Sequence, residues 1–260
     1  MPSIFGGKFF VKNSMTRIRT QSQRDTILQS IYEIYPEKTI ELDFETPFQL
    51  LVAVMLSAQM TDKGVNKSTK KLFEIVKTPT DLLSIEPEKV EIILRSVNYY
   101  RVKTRHVFET AKKLLSDYDG EIPNSLTEIQ TLPGVGIKTA KVVLAHLYDA
   151  PHIGVDTHIH RVMNRMGIVK TKTPAETDKK LEKLLTDEQK KTMHHAIVLF
   201  GRYICTAKKC RCSETPLKEW CQCKECTNYF WEAPRFLYSS LHKSFFFLPR
   251  DLIKFHKKWE

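Results

Sequence analysis

The stretch Leu132-Pro-Gly-Val-Gly-Ile-Lys-Thr-Ala140 sets an amine, Lys138, directly behind a glycine turn. Asp156 follows 18 residues later, in Val155-Asp-Thr-His158. An amine can attack carbon, and a carboxylate can relay a proton or stabilise positive charge that develops on a substrate. A lysine is protonated near neutral pH, so that use requires desolvation or cationic neighbours to lower its pKa. Alone, Lys138 reads as a surface lysine that touches phosphate, and Asp156 as a helix N-cap. Together, behind such a turn, they predict a reaction as well as a binding surface.

The elements that must position this pair are helical. Ser125-x-x-Glu128 reads as a capping box that opens a short helix. Pro133 and Gly134 stop it, Gly136 allows a positive φ, and apolar spacing predicts a second helix from Ile137 to about Tyr148. The backbone amides of Gly134, Val135 and Gly136 are expected to face outward at a helix N-terminus, where donors and dipole favour an anion. Elsewhere Thr46-Pro47 leads into the apolar run Phe48–Gln59, and Asp62 opens a helix to about Val76. Pro87 starts another, and a further helix covers about Val102–Asp117. Asp156 or Thr157 caps a helix to about Met166, and Thr173-Pro174 opens the next. Thr186-x-x-Gln189 is a second capping box, for a helix to about Ile204. Alternating strand patterns are absent, so the fold class is all-α, with a change of helical block near Ala150-Pro151.

At 260 residues and 42% hydrophobic, the chain can bury a sizeable core. Its net charge of +11 favours a polyanionic partner, nucleic acid above all. No window of eighteen uncharged apolar residues occurs, which argues against a membrane span. Residues 1–24 carry Lys8, Lys12, Arg17, Arg19 and Arg24 and no acid; they read as a disordered basic arm. Cytoplasmic residence is expected, organelle targeting by the arm stays open, and Met15 is an alternative start. Residues 228–260 mix Trp231, Phe236, Phe245, Phe246 and Phe247 with Lys and Arg. They read as an added packing helix, or as a nucleic-acid arm with stacking aromatics.

All six cysteines fall at 205, 210, 212, 221, 223 and 226. Without a signal peptide, such clustering favours a metal site over disulfides, and thiolates suit zinc or an iron–sulfur cluster alike. Lys208, Lys209, Arg211 and Lys218 would sit on loops around the metal and face DNA phosphate. His194 and His195 read as structural, since neither has metal-ligand spacing with the cysteines.

Several segments together resemble bacterial endonuclease III, of the helix-hairpin-helix glycosylase superfamily. They are Leu51-Val-Ala-Val-Met-Leu-Ser-Ala-Gln-Met-Thr-Asp62, Val65-Asn66-Lys67, Leu132–Val143, Val155-Asp-Thr-His-Ile-His-Arg161 and Phe200-Gly-Arg-Tyr-Ile-Cys205. The likeness runs from about Arg24 to Cys226. It implies a two-lobed helix-hairpin-helix glycosylase fold: a six-helix lobe over 40–150, and a cysteine-rich lobe joining 25–39 to 151–227. That second lobe carries a 4Fe-4S cluster, and DNA lies between the lobes. By the same resemblance Lys138 is the catalytic lysine and Asp156 the catalytic aspartate. Gln59 fills the space left by a flipped base, Tyr99 is the intercalating wedge, and His158 lies near the DNA backbone. The family's ligand pattern is Cys-x6-Cys-x2-Cys-x5-Cys. Cys205, Cys212 and Cys221 match it, but Thr215 stands at the third position, so Cys210, Cys223 or Cys226 is expected to substitute; zinc is the alternative to the cluster. The implied function is base-excision repair by a monomer on damaged or abasic duplex DNA. The enzyme removes oxidised pyrimidines and then cuts 3′ to the abasic site by β-elimination. Alternatives are a monofunctional glycosylase, a non-catalytic DNA-binding scaffold, and a zinc-dependent nucleic-acid-binding module.

Overall fold

A computed structural model describes residues 18–36, 40–223 and 226. Among them are eleven α-helices, two 3-10 turns and no strand beyond one isolated bridge. The helices are α1 (Gln21–Ile34), α2 (Pro47–Leu56), α3 (Asp62–Phe73), α4 (Pro79–Leu83), α5 (Pro87–Leu94) and α6 (Tyr100–Asp117). They continue with α7 (Leu126–Ile129), α8 (Ile137–Tyr148), α9 (Thr157–Arg165), α10 (Pro174–Leu184) and α11 (Asp187–Tyr203). Residues 1–17 and the extension 228–260 lie outside the described residues, as do the alternative start and the roles read for both ends.

Local chemistry explains most starts. Thr46, Thr78 and Thr173 each cap a helix whose first residue is proline, and each hydroxyl accepts the amide three residues on. Thr186 and Gln189 form the expected capping box, and Thr20 with Gln23 forms another at the head of α1. The box at Ser125 does not form: the Ser125 hydroxyl pairs with Thr127 Oγ1 at 2.8 Å instead. Residues 18–24, read as part of a disordered arm, are instead ordered. Arg19 donates to Met166 O at 3.2 Å and Trp220 O at 2.9 Å, so residues 18–24 anchor and begin α1.

Two hydrophobic cores divide the molecule into lobes. One gathers apolar residues from Leu42 to Leu144 around α2, which is buried on every side from Phe48 to Leu56. The other joins Ile27, Leu28 and Ile31 of α1 to residues from Ile153 to Cys226. Ion pairs stitch the lobes together. Arg202 of α11 reaches Asp62 of α3 at 2.8 Å and also pairs with Glu41. Lys141 of α8, buried, pairs with Asp178 and Glu182 of α10 at 2.8 and 3.2 Å. A buried ammonium needs such partners, because an unpaired charge there is strongly destabilising.

Candidate active site

The hairpin is held from behind by α6. Thr110 donates to the carbonyl of Pro133 at 2.8 Å, and His106 packs under Gly134 so closely that a Cβ there would lie 2.8 Å from its Nδ1. The positive φ belongs to Gly134, at 77°, and not to Gly136, which is extended at −82°. The Val135 amide closes the turn on Leu132 O at 3.1 Å, so it is not offered outward as expected. Gly136 is the N-cap of α8 with no side-chain cap, and a Cβ built on it meets nothing within 4 Å. Bare amides, the positive end of a helix dipole and open space together suit the approach of a phosphate.

Lys138 is the second residue of α8 and is exposed. Gly154 brings the Asp156 segment against it: a Cβ at 154 would sit 3.0 Å from Lys138 O and 2.6 Å from Val142 Cγ2. Asp156 then caps α9, its Oδ1 accepting the Ile159 amide at 2.8 Å. A second carboxylate, Asp62, senses Lys138, Asp156 and His158 together. Burial pushes its carboxyl up, opposed by Lys138 and His158 and reinforced by Asp156. The Arg202 guanidinium at 2.8 Å acts in the opposite direction and favours the charged form. His158 Nδ1 faces Arg161 Nη2 at 3.1 Å; a guanidinium only donates, so the imidazole proton sits on Nε2. Behind the pair, His194 is buried with no hydrogen-bond partner for Nδ1 among the described residues, and burial, helped by His195 and Lys138, lowers its pKa to about 3, so it is neutral near pH 7.

Two further loops carry the other residues read from the sequence. Gln59 and Tyr99 both adopt positive φ, at 58° and 59°, which is costly for a residue with a side chain and is typical of functional positions. Both are exposed, Tyr99 at 68%. Asn98 Nδ2 donates to Gln59 O at 2.7 Å, and Lys103 Nζ caps the end of α2 by donating to Leu56 O at 2.8 Å and Ala58 O at 2.6 Å.

At the far end of the second lobe all six cysteines are buried and free of disulfides. Arg165 donates to Cys205 Sγ at 3.7 Å. Lys208, Lys209 and Lys218 are exposed, and Arg211 donates to Glu214 at 2.7 Å.

Residues 52–187 match the model of the HhH-GPD superfamily base excision DNA repair proteins. The chain is 40% identical to endonuclease III of Escherichia coli K12 over 205 residues, covering 79% of this chain and 97% of that protein. Against endonuclease III of Bacillus subtilis it is 40% identical over 201 residues, covering 77% and 92%. The chain belongs to the endonuclease III family. A solved endonuclease III trapped on DNA as a covalent intermediate superposes with a TM-score of 0.76 at 38% identity, over 82% of this chain and all of that one. A non-covalent endonuclease III–DNA complex gives the same score over 83%. A thermostable thymine-DNA glycosylase, 21% identical, shares the fold, with a TM-score of 0.67.

Thr215 stands where the resemblance leads one to expect a third cysteine ligand. Its Oγ1 donates to Cys212 O at 2.8 Å and accepts from Leu217 N at 3.2 Å, so it is spent as the cap of the turn Pro216–Glu219. The remaining thiols nonetheless fit a metal centre in kind and number: six buried sulfurs, with two close groups of three and four. The residues that reading the sequence missed are Asp62, Arg202, Asn98 and Lys103. Only Asp62 carried a signal, as an acid three positions after Gln59.

Proposed function

We propose that the protein is a bifunctional DNA glycosylase and AP lyase that excises oxidised pyrimidines from duplex DNA. The observation that carries this reading is Lys138 at the open head of α8, packed against the Gly154 segment that leads to the Asp156 cap, with Lys138 and Asp156 both felt electrostatically at Asp62. The target nucleotide must leave the stack, since its sugar carbon is shielded within a duplex. Gln59 and Tyr99 stand on exposed, strained loops, suited to filling and wedging the gap, while the Gly134–Gly136 turn grips backbone phosphate. His158 presents its Nε2 proton as a donor to a neighbouring phosphate.

Lys138 as the neutral amine forms a bond to C1′, and the C1′–N bond to the base breaks. The base departs with that electron pair and takes a proton from water, and the amine's own proton passes to Asp156. Asp156 returns that proton to O4′ as the sugar ring opens, which leaves an iminium on C1′. Loss of a C2′ proton then expels the 3′ phosphate, and water releases the lysine. Solvent reaches Lys138 in the free protein, so DNA laid across the cleft provides the desolvation this amine needs. Asp62 and Asp156 offset positive charge as it develops on the sugar. A relative caught covalently on DNA supports an enzyme-bound intermediate of this kind.

The cysteine lobe would hold a 4Fe-4S cluster through Cys205, Cys212 and Cys221 with a further thiolate. Such a group supplies architecture and no step of the reaction.

Borohydride reduction in the presence of abasic DNA tests the reading. Wild type should become covalently attached, and Lys138→Ala should not. A wild type that never cross-links under conditions where it binds the duplex would sink the lyase.

A further inference from the structure

Two groups of thiols have sulfurs within 4.8 Å of one another: Cys205, Cys210 and Cys212, and Cys210, Cys221, Cys223 and Cys226. Cys210 is the member they share. Its Sγ lies 3.2 Å from that of Cys212, 3.7 Å from Cys221 and 3.4 Å from Cys226. Thiols donate and accept weakly, so sulfurs crowded this closely gain little from one another. As thiolates they would repel, unless a cation lies among them.

The backbone explains how Cys210 arrives there. Cys205 and Cys210 form an antiparallel bridge, and the Arg211 amide closes on Ile204 O at 2.9 Å. Inside the turn, Thr206 Oγ1 accepts the Lys209 amide at 3.1 Å. Residues two apart on an extended strand share a face, but the strand's rise holds them roughly 6.6 Å apart. Arg211 instead has φ −109° and ψ 16°, and Cys212 begins a 3-10 turn. That bend draws the two flanking sulfurs to 3.2 Å. On the other side of Cys212, Thr215 is committed to capping and its hydroxyl faces its own turn.

We infer that Cys210 replaces the thiolate missing at Thr215, completing a four-sulfur set with Cys205, Cys212 and Cys221. The ligand has moved from behind Cys212 to in front of it, from a Cys-x2-Cys spacing to Cys210-x-Cys212. The assignment rests on the lobe being a metal centre, but not on which metal, because Cys210 belongs to both close groups. Cys223 and Cys226 lie in the second close group with Cys210 and Cys221, the Cys226 amide donating to Cys223 Sγ at 3.4 Å; the test below separates them from the four-sulfur set.

The test compares anaerobically purified, iron- and sulfide-reconstituted wild type with Cys210→Ser, Cys223→Ser and Cys226→Ser. Iron, acid-labile sulfide and zinc are counted per chain, and the visible absorbance is recorded. Cys210→Ser should lose most of the bound metal, and the other two should keep it. Retention of wild-type metal by Cys210→Ser overturns the inference, and equal loss in Cys223→Ser or Cys226→Ser overturns the four-sulfur set. Zinc in place of iron, still lost in Cys210→Ser, upholds Cys210 while defeating the iron–sulfur reading. A wild type that holds neither metal defeats both. Should Cys210→Ser fail to fold, alkylation of each cysteine in wild type, with and without metal, decides. Metal should slow Cys210 as much as Cys205, and an unchanged Cys210 rate overturns the assignment.

Discussion

Asn98 donates its side-chain amide to the backbone carbonyl of Gln59 at 2.7 Å, joining two residues 39 positions apart. The bond ties the loop that carries Gln59 to the residue just before Tyr99, so the two strained positions are set relative to each other. Removing one such hydrogen bond costs about 1 kcal/mol, or roughly fivefold in a rate that depends on the alignment. Asn98→Ala should therefore lower single-turnover excision about fivefold and lower the thermal midpoint by only about 2–4 °C. Unaltered excision would mean that the loops hold their positions without each other.

Asp156 combines two tasks that substitutions can separate. Asparagine also caps helices well, so Asp156→Asn should keep the Ile159 bond and its stability while lowering excision and trapping by roughly 10²–10⁴-fold. Asp156→Ala should lose the activity and, in addition, about 1 kcal/mol of stability. Urea unfolding and borohydride trapping on the same samples read both effects. An asparagine variant with wild-type trapping would reduce Asp156 to a cap.

The two hairpin glycines should respond in opposite ways. At Gly136 the backbone is extended and a side chain meets nothing, so Gly136→Val should fold normally yet bind duplex at least about tenfold more weakly, ~1.4 kcal/mol. At Gly134 a positive φ and the His106 ring both resist a Cβ, and Gly134→Ala should cost about 1–3 kcal/mol of stability. Thermal melts paired with fluorescence anisotropy distinguish the two. Normal binding by Gly136→Val would remove the phosphate from this turn.

His194 links stability to pH. Its pKa falls from 6.5 to about 3 in the folded chain, mainly through burial. Between these values the unfolded chain holds a proton that the folded one does not. The His194 contribution is therefore complete above pH 6.5 and shrinks as pH falls toward 3, at up to about 1.4 kcal/mol per pH unit. Urea midpoints should drop from pH 7 to pH 5, and His194→Gln should flatten that slope. An identical slope in the variant would assign the loss to other groups.

Signals confined to a few neighbouring residues were legible in the chain. Thr46-Pro47, Thr173-Pro174, Asp156 and the Thr186–Gln189 box all begin helices as read. The same pattern fails at Ser125, where a nearby hydroxyl competes for the cap. A Gly-x-Gly turn does not reveal which glycine turns left-handed, and here it is the first. Five-residue α4 is too short to show a period, although Thr78-Pro79 and Asp81 mark its start. The Lys138 and Asp156 assignments came from family likeness. The Arg202–Asp62 pair, 140 positions apart, depends on how the lobes meet, and no local rule carries that information.

The lobes differ in how they are threaded. The first core draws on one unbroken run, from Leu42 to Leu144, whereas the second joins α1 to residues beyond Ile153. During synthesis the first lobe can close on itself as its run emerges. Helix α1 must meanwhile carry Ile27, Leu28 and Ile31 uncovered until α11 is made. The cysteines come later still, so a metal captured there would seal a lobe that has waited for both its ends.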